Sequence, residues 1–360
     1  MSAANVIIAP QDLSRFVACI VSSAGSALRE AELVATNLVL ANLSGHDSHG
    51  VGMIPQYVDF LGTGGLKPNQ HARITGEFGS MLMIDGCKGY GQVIGHEAMK
   101  LGIERACTSG LALVALRDSH HIGRIGQWAE DCAAAGLVSL HFVNALLRPL
   151  VAPFGGADAR FATNPFCCGI PRAGEPPVIL DFATSMIAQG KARVALNKGE
   201  QLAPDCLIDD QGRPTQEPRY TVLPPWGALL TFGGHKGFGL ALMCELLGGA
   251  LAAGMTQRDS DSSQKRVLNG MFSVLVDPAA LGDRGSFEAE ALAFLDWVQA
   301  SPPREGFGPV QVAGDPERRM RAERSALGVP VDATTWQEIL AAADKLGVSP
   351  AQVQREAGLD

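Results

Sequence analysis

The chain reads as an α/β protein built on a mixed sheet, and three observations predict it. The N-terminal residues carry apolar side chains at helical spacing. From about residue 80 the texture changes to short apolar runs separated by Gly and Pro, the pattern of buried strands. Segments of helical composition lie between those runs.

At the start, Leu13, Phe16, Val17, Ile20 and Val21 fall at i, i+3, i+4, i+7 and i+8, which lays one apolar stripe along a helix. Val34, Leu38 and Ala41 suggest a second helix on the same plan. SMLMIDG, LALVALRD, GLVSLHFVNA and PPVILDFA then read as strands, with HEAMKLGIERACTSG and GQWAEDCAAAG as the helices between them. Residues 200–226, with Asp209-Asp210-Gln211-Gly212 and Pro224-Pro225, read as a turn-rich connection, and 256–266 as a solvated loop. The longest apolar stretch, GFGLALMCELLGGALAAGM from Gly237, carries Glu245 near its middle and several glycines. A buried core helix is expected there rather than a membrane span. The Pro/Gly-rich segment SPPREGFGPVQVAGDPE precedes a last helix in TTWQEILAAADKLG.

At 360 residues the chain exceeds the usual size of a single core, so two or three lobes with a groove between them are expected. The net charge of −8, and the lack of any Lys/Arg cluster interleaved with aromatics, argue against nucleic acid as a partner. The eight cysteines include no CxxC pair, and the vicinal Cys167–Cys168 cannot close an ordinary unstrained disulfide. That favours a reducing compartment. The opening MSAANVIIAPQDLSRF has no basic region ahead of its short apolar run, so a cytoplasmic location without a membrane partner is expected.

LMIDGCKGYGQVIGHEAM imitates a dinucleotide-binding βαβ unit, since a strand, Gly89-x-Gly91-x-x-x-Gly95, a helix and a second strand ending at Asp118 follow in order. The spacing is GxGxxxG rather than GxGxxG, in a chain with 42 glycines. A glycine-rich turn into a helix is the better reading. Gly234-His235-Lys236-Gly237 lacks the Ser/Thr that a phosphate-binding P-loop places after its lysine.

Four polar clusters interrupt apolar or glycine-rich surroundings: Gly45-His46-Asp47-Ser48-His49-Gly50, Ser119-His120-His121-Ile122-Gly123-Arg124, Thr163-Asn164-Pro165, and Asp181 at the end of PPVILD. Zinc ligation by His46, Asp47 and His49 is one reading, but no HExxH or Cys/His framework is present and no metal is expected. His120 and His121, at i and i+1 of an extended segment, point to opposite faces and do not chelate together. His71, His96 and His141 read as structural, hydrogen-bonded histidines. Proton transfer explains more. A histidine near neutrality suits the interconversion of alcohol and carbonyl when a carboxylate holds its tautomer and a cofactor takes the hydride. Asp181, ending an apolar strand, needs a partner.

NLSGHDSHGVGMIPQYV, GQVIGHEAM, DSHHIGRIGQWAE, VAPFGG, FATNPFCCGIP, ILDFATS, GHKGFGLALMCELLGGAL and the late AGDPE together resemble one family. It is the malate/L-lactate dehydrogenase family, which is unrelated to the ordinary Rossmann lactate dehydrogenases and includes ureidoglycolate and sulfolactate dehydrogenases and cyclic-imine reductases. The blocks span nearly the whole chain in order. GMIPQYV, SHHIGRIGQWAE, TNPFC and CLIDDQGRPT point to the hydroxycarboxylate dehydrogenase branch within it. The resemblance implies a non-Rossmann fold, a homodimer, and NAD(H) or NADP(H) as cofactor. It also implies three lobes: a helical one from 1–75 with 318–360, a nucleotide-binding sheet lobe from 76–120 with 228–317, and a further sheet lobe from 121–227 lining the site.

The resemblance assigns residues in the same way. His121 matches the proton donor/acceptor histidine, and His120 stands where relatives more commonly carry asparagine. Ser48 and His49 match a motif lying against nicotinamide and substrate, and Tyr57 an aromatic near that pocket. Asn144 and Asn164 are expected on the substrate. Gly123, Arg124 and Ile125 match the loop over the dinucleotide, and Ile179, Leu180, Asp181, Phe182 and Ala183 the strand end lining it. Lys236, Gly314 and Glu317 complete the cofactor site. Asp181 is expected to tune the catalytic pair.

One departure matters. Many relatives carry an arginine five residues after the Ser of this motif to fork the substrate carboxylate, and here that place is Met53. Methionine cannot imitate a bidentate guanidinium. Arg124, Asn144, Asn164 or Arg148 would have to hold the carboxylate instead. The implied activity is that of an NAD(P)-dependent 2-hydroxycarboxylate dehydrogenase and 2-oxoacid reductase acting on a small acid of hydroxyphenylpyruvate, phenylpyruvate or 2-oxoglutarate type. A cyclic-imine (piperideine- or pyrroline-2-carboxylate) reductase and a malate, lactate or ureidoglycolate dehydrogenase are the alternatives within the family. A zinc hydrolase and a nucleotide-binding sensor without turnover are the alternatives outside it.

Overall fold

The computed structural model describes residues 5–259 and 267–359. Most of the loop expected at 256–266 therefore lies outside the described residues. Its first residues, Gln257–Asp259, form a 3₁₀ turn.

In chain order the elements are β1 (Val6–Ile8), α1 (Pro10–Ser23), α2 (Leu28–Leu43), α3 (Ile54–Gly62), β2 (Arg73–Phe78), β3 (Met81–Asp85), α4 (Gly91–Ser109), β4 (Leu111–Ser119), α5 (Gly126–Ala134) and β5 (Val138–Leu146). Next come β6 (Phe166–Ile170), β7 (Val178–Phe182), α6 (Gln189–Lys198), β8 (Leu207–Ile208), β9 (Pro214–Thr215), α7 (Arg219–Val222), β10 (Ala228–Leu229) and α8 (His235–Cys244). The last are β11 (Leu268–Val276), α9 (Arg284–Gln299), α10 (Asp315–Leu327), β12 (Val329–Val331), α11 (Ala333–Lys345) and α12 (Pro350–Glu356).

The predicted stripe of α1 is buried in full, and it packs with α2, α3, α11 and α12 into one core that includes Val51, Met53, Tyr57 and Trp336. Burying a side chain of the size of Leu or Phe contributes roughly 1.5–3 kcal/mol over leaving it exposed. β1 pairs antiparallel with β12, which ties the two chain ends together.

The central sheet has seven strands in the order β2-β3-β4-β11-β5-β6-β7. Only β3 and β4 run parallel, joined by the crossover helix α4, and every other pairing is antiparallel. The sheet is mixed, as expected, and a doubly wound nucleotide fold, which needs successive parallel crossovers, is absent from it. Its strands come from both segments that the resemblance assigns to separate sheet lobes. α4 and α5 pack with the sheet in a second core around Trp128, Leu116, Met271 and Leu275.

Two expectations need correction. Residues 200–226 do not form a plain connection: β8 and β9 pair within them, β10 adds to β8, and α7 lies between. The apolar run from Gly237 is not wholly buried. It is α8 continued by a π-helical turn, Glu245–Leu251, whose buried face carries Ala241, Cys244, Glu245, Gly248 and Gly249, whereas Met243, Leu246 and Leu251 are exposed. The run is apolar on both faces, so composition could not reveal which one meets the sheet.

Candidate active site

The site begins at a defect in the sheet. Leu116 pairs with Met271 and Ser119 with Asn269, so two residues of β4 stand against one of β11. Asp118 absorbs the bulge at φ 50°. Such bulges re-aim the side chains that follow. The Asn269 side chain fixes the re-aimed loop: its Oδ1 accepts from the Ile122 N–H at 3.1 Å, and its Nδ2 donates to the Asn144 carbonyl at 2.8 Å.

The glycines of the false nucleotide motif have a packing role beneath this loop. A Cβ on Gly91 would sit 2.2 Å from the His121 carbonyl oxygen, and one on Gly95 would sit 2.5 Å from the Trp128 ring. Only glycine lets α4 approach so closely.

The second segment is a pair of 3₁₀ turns, Asp47–His49 and Val51–Met53, after α2. Asn42 pins them, accepting from Val51 N–H at 2.8 Å and donating to Asp47 at 2.7 Å. The turn brings His49 flat against His121, with rings 3° from parallel and His49 Nδ1 3.0 Å from His121 Nε2. On the other side, Tyr57 Oη lies 2.7 Å from His121 Nδ1, and Gln92 Nε2 donates to that same hydroxyl at 2.7 Å.

With Gln92 donating, the phenol hydrogen goes to His121 Nδ1, His121 carries its own hydrogen on Nε2, and His49 Nδ1 accepts it. Burial keeps this chain neutral. It pushes His49 down to about 4 and His121 well below the usual imidazole range, each imidazole further opposed by neighbouring basic groups, and it pushes the Tyr57 phenol up. Ser48 is exposed and His49 partly so, which makes this the end of the chain open to solvent.

Asp181 is not where the sequence argument expects it. Among the described residues no carboxylate holds His121; Tyr57 does. Asp181 Oδ2 instead accepts from Gly126 N–H at 2.7 Å, at the start of α5. Burial raises its carboxyl, opposed by His46 and Arg124 nearby. A strand-end carboxylate needs a partner, but a helix N–H satisfies it as well as an imidazole does.

Around Asp181 much of the expected cofactor set converges. Arg124 is buried and donates to Glu130 at 2.6 Å, and Arg321 also donates to Glu130. His46 Nε2 lies 3.3 Å from Glu317, whose carboxyl is lowered chiefly by that hydrogen bond. The Ile179 N–H donates to the Ala313 carbonyl at 3.1 Å, setting left-handed Gly314, φ 97°, beside β7. Gly123, φ 73°, abuts the Asn37 side chain, Ile125 begins the turn into α5, and Leu180 is exposed. Phe182 and Ala183 are half-buried, and Phe182 meets the Phe232 ring at 5.3 Å, which brings the Gly233-Gly234 turn and Lys236 to the same strand end.

Asn144 and Asn164 lie elsewhere. Both are buried and both donate to Glu245, at 3.5 and 2.7 Å, while Asn144 Oδ1 accepts from Gly270 N–H at 3.0 Å. His141 is a sheet histidine held by Ser273 at 2.8 Å and Ser139 at 3.0 Å, and His71 pairs with Glu97 at 2.7 Å. The three residues of the zinc reading part company: His46 turns to Glu317, Asp47 to Arg324 and His49 to His121. Gln92, Asn42, Asn269, Glu130 and Arg321 were missed in the sequence. Only Gln92 had a signal, as a polar residue on the inner face of a helix between two packing glycines.

The family model described as malate/L-lactate dehydrogenase matches residues 8–340. The chain belongs to this family. It is 48% identical to hydroxycarboxylate dehydrogenase B of Escherichia coli (strain K12) over 346 residues, covering 96% of this chain and 95% of that one. A solved Escherichia coli chain, assigned provisionally as a malate/lactate dehydrogenase, superposes with a TM-score of 0.94 at 46% identity and covers 98% of this chain and 99% of its own. The sulfolactate dehydrogenase of Methanocaldococcus jannaschii superposes at 0.85 with 29% identity, covering 96% and 98%. In this malate/L-lactate dehydrogenase family member, Met53 is buried in the helical core, so its position presents no charge to a ligand.

Proposed function

We propose that the chain is an NAD(P)-dependent 2-hydroxycarboxylate dehydrogenase that runs readily as a 2-oxoacid reductase. The observation that carries this reading is the hydrogen-bonded series from Gln92 through Tyr57 and His121 to His49, closed at the Gln92 end and open at Ser48.

The residues fit a dinucleotide. Asp181 and Glu317 offer acceptors for hydroxyl groups, and the buried Nε of Arg124 has no hydrogen-bond partner among the described residues. Lys236 adds a cation in the first turn of α8. A bound nicotinamide supplies or takes up the hydride at the substrate C2. Tyr57 holds the His121 ring so that Nε2 is the nitrogen facing the open end. In oxidation, the His121 hydrogen first moves to Nδ1, where Tyr57 Oη accepts it, so that Nε2 takes the substrate hydroxyl proton as the C–O bond becomes a carbonyl. In reduction, Nε2 returns a proton to the carbonyl oxygen. The neutral rest state of His121 matches the first direction, and a substrate carboxylate nearby would favour the protonated ring that the second needs.

The homodimer belongs to the same reading. Helix α9 has no buried residue and leaves Phe294 and Trp297 exposed, an apolar surface of the kind a second copy covers. Sedimentation equilibrium tests it, with a monomer overturning this part. The cytoplasmic location rests on eight unpaired cysteines.

The test of activity is an absorbance screen of NADH and of NADPH against phenylpyruvate, hydroxyphenylpyruvate, 2-oxoglutarate, pyruvate, oxaloacetate and a cyclic imino acid. Turnover of an open-chain oxoacid supports the reading. Turnover of the imine alone moves the assignment to imine reduction, and nucleotide binding without turnover moves it to a sensor.

A further inference from the structure

The loss of arginine at position 53 leaves a substrate carboxylate without an evident partner, and the structure narrows the candidates. Arg124 is buried and already engaged by Glu130. Asn144 and Asn164 both face Glu245, and an acidic group repels a carboxylate. Arg148 is the remaining one.

Arg148 is half-buried just past the end of β5, with its guanidinium 3.7 Å above the centre of the Trp226 ring. Its Nη1 donates to the Pro149 carbonyl at 3.2 Å and its Nη2 to the Thr221 carbonyl at 3.0 Å. Two backbone acceptors orient the group without neutralising it. Among the described residues no carboxylate forms an ion pair with Arg148, whereas most other arginines, Arg124, Arg321 and Arg324 among them, have such a partner. Burial pushes the Arg148 guanidinium down from its ordinary range, with no acid opposing it. A half-buried cation held flat on an aromatic ring, with Nε–H and further N–H groups to spare, is prepared for an anion that arrives from outside.

Its place relative to the histidines follows from two contacts. Gln189 donates to the same Thr221 carbonyl at 3.5 Å, and the next residue, Gly190, approaches Ser48 so closely that a Cβ there would lie 3.0 Å from the serine Cβ. From the other side, Asn269 joins Ile122 to Asn144, four residues before Arg148 on the same strand and its exit. The first route leads from Arg148 to Ser48 and the second to Ile122, the segments that flank the His121–His49 pair.

We propose that Arg148 binds the carboxylate of the substrate, in place of the arginine missing at position 53, and so selects 2-oxo and 2-hydroxy acids over their neutral analogues. This rests on the activity proposed above.

The experiment compares a 2-oxoacid with its methyl ester in wild type, Arg148→Met and Arg148→Lys, using the best oxoacid from the screen. In Arg148→Met, KM for the acid is expected to rise on the order of 30- to 100-fold, as for loss of hydrogen bonds to a charged group. The ester is expected to change less than about threefold, so the preference for the acid collapses. Arg148→Lys keeps the charge without the fork and falls between. Guanidinium ion added to Arg148→Ala restores acid turnover selectively, which a merely structural arginine would not permit. Calorimetric binding of the 2-hydroxy acid supplies a readout independent of turnover, and unchanged NAD(P)H affinity shows that each variant is folded. Acid preference unchanged in Arg148→Met, or equal losses for acid and ester, would overturn the assignment while leaving the proposed activity intact. A wild type inactive on every oxoacid would overturn the activity itself, and this role with it.

Discussion

Tyr57 Oη and His121 Nδ1 lie 2.7 Å apart, and Gln92 donates to the same hydroxyl from the opposite side. A phenol in this position can orient an imidazole as a carboxylate does, but it leaves no negative charge beneath the ring. His121 is therefore held in one orientation while its basicity is kept low.

Replacing that phenol tests the point. Tyr57→Phe leaves His121 Nδ1 without its donor, and turnover is expected to fall by about 10²-fold or more, within the range that one acid–base device supplies. Gln92→Leu should fall less, and steady-state kinetics with nucleotide-binding titrations would separate this from loss of fold. Equal turnover in wild type and Tyr57→Phe would remove Tyr57 from the mechanism.

His121→Ala should lose most turnover while still binding nucleotide. Near-normal turnover would dismiss His121 as the proton carrier.

The buried histidines also set an acid limit to stability. In the unfolded chain each takes up a proton near pH 6.5, whereas in the fold His49 resists protonation to about 4, and His120 and His141 to about 3. Between those values the unfolded state binds more protons, so stability falls as pH drops below 6.5 and levels out only below about 3. Above 6.5 these groups are neutral in both states and contribute no slope. His120 is the sharpest case, because neither ring nitrogen has a hydrogen-bond partner among the described residues. His120→Asn should reduce the loss of melting temperature between neutral and mildly acid buffer; an unchanged loss would exclude His120 as a source.

Gly91→Ala places a methyl group on the His121 carbonyl, and a cost of about 1–3 kcal/mol is expected from overpacking. Thermal unfolding and turnover should decline together. A neutral result would mean that α4 can withdraw from the loop.

Asn269→Ala removes one acceptor and one donor, leaving Ile122 N–H and the Asn144 carbonyl exposed to loss of about 1–3 kcal/mol. Turnover should fall further than that stability loss would explain, because the loop carrying His121 is released.

The helical ends and the strands were legible because periodicity and burial coincide there: every residue of the α1 stripe is in the core. The converging loops were legible as polar clusters in apolar surroundings. What the sequence hid are the partners. Asp181 satisfies its charge on a helix N–H, and Asn144 and Asn164 on a buried glutamate more than 80 residues later, relationships that only folding creates. The ionic state of Arg148 was equally invisible, since it depends on which carboxylates the fold brings near.

The bulge at Asp118 decides which of two identical neighbours faces Tyr57 and His49. Side chains along an extended strand alternate in direction, so inserting or removing one residue ahead of a pair exchanges the directions of its members. His120 and His121 are the same amino acid, and neither could be distinguished from the other by composition. Which histidine joins the series with Tyr57 and His49 is thus specified by parity: a chain one residue shorter at this point would keep both histidines and exchange their places.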